Sequence, residues 1–173
     1  MGKRLSILLA VVLLLLVSGG CGRQKVELPP MPKEEPMVRV TFYSPAADGL
    51  IGEDRDIPKS GYRPEKVLQE LIIKKGVRAK GPFQPFLPPG TKILRIKIKD
   101  KLATVNFSRQ VLNVGGSEKM QRYAVAAIVK TLTQFPQIEM VKFQVEGREK
   151  GKIDGKNIED WWGEVTLREQ PWK

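Results

Sequence analysis

The chain has 173 residues, a formal net charge of +11 and a single cysteine. Because it contains no histidine, it can use neither an imidazole base nor a histidine metal site. One cysteine excludes an internal disulfide and a cysteine-cluster metal site. We therefore expect neither a metal nor any other cofactor.

The first 20 residues have the pattern of an export signal. Lys3 and Arg4 precede an apolar run over residues 5–17, which is shorter than the about 20 residues that a membrane-spanning helix needs. Small residues then lead directly into Cys21, as in a bacterial lipobox, although Ser18 stands where leucine is usual. We predict cleavage before Cys21 and attachment of a diacylglycerol to its sulfur. A secreted protein with a free thiol and an uncleaved anchor are the alternatives.

The sequence divides into four predicted segments. Residues 1–20 form the lipoprotein signal peptide, and residues 21–37 form the lipidated cysteine and a proline-rich tether, "GRQKVELPPMPKEEP". Residues 38–153 form the folded domain. Residues 154–173 form an aromatic tail that holds all three tryptophans. The predicted location is the extracytoplasmic face of the cell membrane.

The folded domain begins with strand and helix patterns in turn. "MVRVTFYS" alternates Val38, Val40 and Phe42 with polar residues and predicts a strand, whereas "IGEDRDIP" predicts a short strand or an extended return. "RPEKVLQELIIKKG" predicts a helix that begins near Pro64 and ends at Gly76.

The second half of the domain predicts a hairpin, a helix and a strand. "KILRIKIKDKLATVNFS" has Leu94, Ile96 and Ile98 on one face, with a turn near Asp100. A helix follows from the capping residue Ser117 to Pro136, and "IEMVKFQVEG" is the last strand. This order predicts an α+β fold: a two-layer sandwich of a mostly antiparallel sheet with two helices packed on one face.

Several of these motifs together resemble the GerM domain of sporulation and spore-germination lipoproteins. The motifs are "VTFYSPAADGLI", "PEKVLQELI", "LPPGTKIL" with "IKDKLATVNFS", and "AAIVKTLTQFPQIEMVKFQVEGR". The resemblance implies an exported, often lipid-anchored domain without known enzymatic activity. It also implies a fold similar to the ring-building motifs of sporulation envelope complexes, and hence a role in binding or assembly. The aromatic tail is not part of the shared pattern.

Two groups of residues form the candidate binding face. Arg95, Lys97 and Lys99 line one side of a strand, with Lys101 at its turn. They either solubilise the sheet face or contact anionic envelope polymers, lipid headgroups or an acidic protein. Trp161 and Trp162 either cover the core, form a partner-binding hot spot or sit at a membrane interface. Trp172, beside the chain end, is expected to be mobile.

The carboxylates after the first strand do not predict a catalytic site. We interpret Asp48, Glu53, Asp54 and Asp56 as a solvated turn, because neither a cleft nor a calcium-loop spacing is evident. The serines lack a histidine partner, so we expect no enzymatic activity.

The sequence therefore predicts a membrane-anchored extracytoplasmic module for binding or assembly in sporulation or germination envelope complexes. Its predicted partners are membrane lipid, through the acylated Cys21, and an envelope protein or a second copy; nucleic acid is not expected. The alternative is a lipoprotein that binds peptidoglycan or another anionic polymer through its basic sheet face.

Overall fold

The computed structural model describes residues 34–74, 76, 81–160 and 170–173. Cys21 and the two adjacent tryptophans, Trp161 and Trp162, lie outside these described residues. Every element reported below belongs to one compact unit, Glu35–Lys173.

The first two strands form a long antiparallel hairpin. Strand β1 is Met37–Ala46 and strand β2 is Gly49–Pro58, and they pair along their whole length, from Met37 opposite Pro58 to Ala46 opposite Gly49. The sequence "IGEDRDIP" therefore lies in a full strand rather than a short one. Cross-strand polar pairs explain how this charged segment holds a strand, because Thr41 donates to Asp54 over 2.6 Å and Arg39 makes two hydrogen bonds to Asp56.

A separate three-stranded sheet has the order β3–β4–β5. Strands β3, Ile93–Lys99, and β4, Leu102–Phe107, form an antiparallel hairpin, and β5, Met140–Val145, runs parallel to β4. Asp100 and Lys101 connect the hairpin with φ values of 49° and 62°, as a type I′ turn requires. The turn prediction near Asp100 is confirmed, and the sheet has one antiparallel and one parallel pairing.

The alternation predicted for β3 is wrong at one end. We expected Leu94, Ile96 and Ile98 to share a buried face, but Leu94 is 46% exposed and Ile98 is 38% exposed. The register shifts between Ile93 and Arg95, so Ile93 takes the position opposite Phe107 and Leu94 falls out of the alternation. Ile98 is exposed because β3 is at the edge of the sheet.

The first helix is shorter than predicted. Helix α1 is Pro64–Gln69, begins with Pro64 as expected, and does not continue to Gly76. The carbonyl of Leu71 accepts the N–H groups of Phe86 and Leu87 at 3.0 and 2.9 Å, and Ile73 N–H donates to the Leu87 carbonyl. The chain does not form the next helical turn, because its β-branched residues instead pair in an extended conformation with the segment that contains Phe86 and Leu87.

The second helix connects the two parallel strands and packs on both sheets. Helix α2 is Glu118–Thr133, and the Ser117 side chain accepts a hydrogen bond from Met120 N–H, as predicted for a cap. Its buried face includes Ala124, Ala127, Ile128, Thr131 and Leu132. Helix α2 packs against β1 and β5, and α1 packs against β3. The predicted α+β sandwich with two helices is confirmed.

Short elements complete the unit. The described part of the chain has 3-10 helices at Lys59–Gly61, Arg109–Asn113 and Ile158–Asp160. Strands β6, Lys152–Ile153, and β7, Lys156–Asn157, form a small hairpin. Ile153 and Ile158 belong to the hydrophobic core.

Two glutamine side chains close two strand edges. Gln134 Oε1 accepts Thr41 N–H at 2.9 Å while its Nε2 donates to the Thr41 carbonyl at 2.8 Å. Gln170 pairs in the same way with both backbone groups of Phe143, on β5. Each amide therefore occupies the place of a neighbouring strand.

Trp172 also pairs with the outer edge of β5. Trp172 N–H donates to the Val141 carbonyl at 2.9 Å, and Val141 N–H donates back to the Trp172 carbonyl at 2.8 Å. The Trp172 ring lies 5.1 Å from the Phe143 ring. We expected Trp172 to be mobile, and that prediction is wrong, because its backbone and ring both dock on β5.

Candidate binding face

Polar side chains from all three strands lie on the face of the sheet that is opposite the core. The strand register places them in two cross-strand rows: Arg95, Asn106 and Gln144 in one, and Lys97, Thr104 and Lys142 in the next. Their apolar neighbours in β4 and β5 point the other way and are buried, because side chains alternate along a strand. We call these six residues the basic sheet face.

The basic sheet face lines a shallow groove. The groove has a volume of about 410 Å³, and Gly147 completes its lining at one end. Arg95 and Lys97 form no ion pair with any other described residue. Among the described residues, the groove therefore presents two positive charges without an ion-pair partner, beside hydroxyl and amide groups.

Lys142 is held more firmly than the other two cations. Its Nζ lies 2.6 Å from Glu149 Oε1, and Gln144 Nε2 donates to the same oxygen at 3.0 Å. Partial burial raises the pKa of Glu149, but the hydrogen bonds from Lys142 and Gln144 and the nearby lysine charges outweigh it, so the pKa lies below its ordinary value. Glu149 is thus an anion that orients Lys142.

A tight turn forms one end of the groove. Glu146 and Gly147 have φ values of 49° and 75°, and Gly147 N–H donates to Asn106 Oδ1 at 2.8 Å. The Glu146 carboxylate accepts Arg109 N–H, also at 2.8 Å. The first bond fixes the amide of Asn106 and the second holds the turn, so this part of the groove is ordered before any ligand arrives.

The structure brings together some of the residues predicted for the site. Arg95 and Lys97 lie on the basic sheet face, whereas Lys99 lies one row further along the sheet, level with Leu102 and Met140. Lys101 points elsewhere and forms an ion pair with Glu139. Trp161 and Trp162 are outside the described residues, as is the predicted lipidation site.

Sequence reasoning missed Lys142 and Gln144. The signal was present in "MVKFQV", since inward Val141, Phe143 and Val145 require that the residues between them point outward. The strand order was not readable, because a parallel partner joined through a helix has no local signature.

The solvated turn that we predicted for the carboxylates after β1 holds only for Asp48, because Glu53, Asp54 and Asp56 lie within strand β2. Asp54 and Asp56 pair with β1, and Glu53 lies 2.6 Å from Arg55 Nε. Asp48, in the turn, is almost fully exposed. Within the described parts of the chain, no cluster of three potential metal ligands occurs.

A second, apolar hollow lies on the outer side of α2. It has a volume of about 270 Å³, between the helix and the docked chain end, and its lining residues include Val125, Val129 and Trp172.

Among the described helices, none is long and apolar enough to cross a membrane.

Comparison with known proteins identifies the family. The Germane family, described as sporulation and spore germination, matches residues 40–151. The first GerMN domain of the sporulation protein GerM from Bacillus subtilis is 26% identical, with a TM-score of 0.56 over 71% of this chain and 95% of that chain. No curated protein matches the chain.

The tandem GerMN domains of the same Bacillus subtilis protein are 24% identical, with a TM-score of 0.53 over 72% of this chain and 45% of that chain. This chain therefore spans less than half of the tandem structure. The resemblance predicted from the motifs is confirmed. Because the family match covers most of the folded unit and the fold agrees, the chain belongs to the Germane family of sporulation and spore germination proteins.

Proposed function

We propose that this protein is a lipid-anchored extracytoplasmic module that binds an acidic partner during sporulation or germination. The observation that carries the proposal is the basic sheet face, where Arg95 and Lys97, which no described residue pairs with, lie next to the oriented Lys142. Electrostatic complementarity of this kind steers partners and selects among them. The module works by binding and assembly rather than by catalysis.

Anchoring is supported by the sequence before the folded unit. Two acyl chains on Cys21 would hold the protein stably, whereas one chain would hold it only marginally. An extended proline-rich tether would give the domain a reach of roughly 45 Å from the bilayer. The basic sheet face could then meet an envelope protein beyond the lipid headgroups.

The anchoring half is tested by metabolic labelling with palmitate. The full chain should incorporate label and fractionate with membranes, and Cys21→Ser should do neither. Ser18→Leu is the matched control, because it restores the usual lipobox residue and should keep the label. Unlabelled wild-type protein, or unchanged fractionation of Cys21→Ser, would contradict anchoring.

The binding half is tested by crosslinking the full chain in sporulating cells. A variant with Arg95, Lys97 and Lys99 changed to glutamine should lose its crosslinked protein partner. The matched control changes Lys59, Lys66 and Lys119, which lie outside the three-stranded sheet, to glutamine and removes the same charge. Equal crosslinking by both triple variants would refute a role for the basic sheet face.

An anionic wall polymer is the second candidate ligand. Thr104, Asn106 and Gln144 add hydroxyl and amide groups between the cations, and such groups suit a glycan or a polyol phosphate. Purified wall material should then retain the full chain at low salt and release it at high salt. Retention that is equal for both triple variants would rule out this ligand site.

A further inference from the structure

We propose that the outer edge of β3 receives an extended segment of the partner protein, in which acidic and apolar residues alternate. This inference rests on the proposed function and names the way in which the partner binds. A strand added at a sheet edge gains affinity from main-chain hydrogen bonds and specificity from its alternating side chains.

The edge of β3 is open where comparable edges are closed. Gln134 closes β1, and Gln170 with Trp172 closes β5. Within the described parts of the chain, no hydrogen bond reaches the outer edge of β3. The two-residue turn after Lys99 makes Lys99–Leu102 a hydrogen-bonded pair, so the backbone groups of Ile96 and Ile98 point away from β4.

The two sides of this edge differ in chemistry. On the core side, Ile98 is 38% exposed, and Leu94, at the register shift of the same strand, is 46% exposed. On the other side, Arg95 and Lys97 carry charges that no described residue neutralises. An incoming strand would place its apolar side chains beside Ile98 and its carboxylates beside the cations.

The same charges argue against a second copy of β3 as the occupant. Two β3 strands paired at their edges would bring cationic side chains opposite one another, which is destabilising. Edge lysines commonly protect a sheet against such self-pairing. Protection alone does not account for the two exposed aliphatic side chains beside them, whereas an acidic and apolar partner accounts for both.

The β2 edge does not offer the same recognition. Its carboxylates already have partners within the hairpin, since Asp56 pairs with Arg39 and Glu53 pairs with Arg55. Asp56 and Glu53 are therefore neutralised within the chain, whereas no described residue neutralises Arg95 and Lys97 of β3.

The test uses the full chain in mild detergent and a peptide of about seven residues, the length of β3, that alternates glutamate with valine. Titration followed by fluorescence anisotropy should show saturable binding. Two further peptides carry N-methyl groups on every valine nitrogen or on every glutamate nitrogen. Only one set of N–H groups can face β3, so one methylated peptide should lose binding and the other should keep it.

Variants of the protein locate the site. Arg95→Gln and Lys97→Gln should each weaken peptide binding by about two- to fivefold. Ile98→Pro removes an outward N–H without breaking a bond to β4 and should weaken binding by about tenfold. Ile98→Thr keeps the backbone N–H and should bind more tightly than Ile98→Pro. This comparison distinguishes the loss of the N–H group from a folding defect caused by the loss of the Ile98 side chain. Lys59→Gln and Lys119→Gln should bind like the wild type.

The outcomes separate this inference from the proposed function. Equal binding of all three peptides would overturn strand addition, because binding would not need main-chain hydrogen bonds. Absence of peptide binding, together with crosslinking that still depends on Arg95 and Lys97, would also overturn strand addition while leaving the basic sheet face as a partner site. Binding that is unchanged in Ile98→Pro would place the peptide away from β3.

Discussion

Gln134 closes the outer edge of β1 with a single side chain. Its amide satisfies both backbone groups of Thr41, and Nε2 also donates to the Thr131 carbonyl at 2.7 Å. The next residue, Phe135, stacks on Tyr62 with ring centroids 4.5 Å apart. The "TQFP" segment at the end of α2 thus connects the helix to the first hairpin through the hydrogen bonds of Gln134.

Gln134→Leu should lower the free energy of unfolding by about 1–3 kcal/mol, because it leaves two partly buried backbone groups of Thr41 without partners. Urea unfolding measures the change. Gln69→Leu, on the exposed side of α1, is the control and should stay within about 0.5 kcal/mol of the wild type. Equal effects at the two positions would mean that the edge bonds contribute nothing.

Glu53 and Arg55 attach a neighbouring segment to β2. Glu53 Oε2 accepts Phe83 N–H at 3.0 Å, and the Arg55 guanidinium lies 5.1 and 5.0 Å from the ring centroids of Phe42 and Phe83. A β-carbon at Gly81 would lie 2.6 Å from Glu53 Oε2, and φ there is +88°, so this position requires glycine.

Acid should weaken this attachment. The hydrogen bond from Phe83 N–H, followed by that from Arg55, holds the pKa of Glu53 below its ordinary value of 4.5. A lowered folded-state pKa means that the stabilisation is fully present above the unfolded pKa and is lost as the pH falls through the folded one. The difference in unfolding free energy between wild type and Glu53→Gln should shrink below about pH 4.5. A difference that is constant with pH would contradict this assignment.

Among the elements, strands were easier to predict than the ends of helices. Alternation in β1, β4 and β5 marks their buried residues, and Ser117 marks the start of α2. The end of α1 was not predictable, because Leu71 leaves the helix to pair with residues that lie far along the chain. The full length of β2 was missed for a similar reason, since its carboxylates are stabilised by cross-strand partners and not by local propensity.

The docked chain end gives a prediction about an element. Removing residues 170–173 should lower the free energy of unfolding by about 2–4 kcal/mol, because β5 loses its backbone pairing and Phe143 loses the Trp172 ring. The exposed β5 edge should also make the protein self-associate, which sedimentation velocity would detect.

Removing Lys173 alone is the matched control, because it leaves Trp172 in place. That shorter truncation should remain as stable and as monodisperse as the wild type. If both truncations behaved alike, the pairing of the chain end with β5 would not matter in solution.

Across the whole molecule, α2 joins the two sheets into one core. Ile128 is fully buried, and the helix that carries it packs against both β1 and β5. This arrangement also explains which parts of the binding face were predictable. Alternation identified Arg95 and Lys97, but Lys142 joins them only because the crossover through α2 makes β5 the parallel neighbour of β4.

Ile128→Ala should therefore destabilise both sheets together, by about 2–5 kcal/mol. Far-ultraviolet circular dichroism and tryptophan fluorescence should report one coincident unfolding transition, as expected for a single cooperative core. Ile73→Ala is the matched control, because Ile73 is 40% exposed and its truncation should cost much less. Two separate transitions in either variant would show that the sheets unfold independently.

The docking of Trp172 on β5 decides where a reporter can be attached. A fluorescent protein fused directly after Lys173 would begin one residue beyond a paired strand edge and would compete with it for space. An epitope inserted between Ala47 and Asp48 would instead lie in an exposed two-residue turn, which belongs neither to β3 nor to the pairing on β5. Imaging of this protein in cells is best done through that turn.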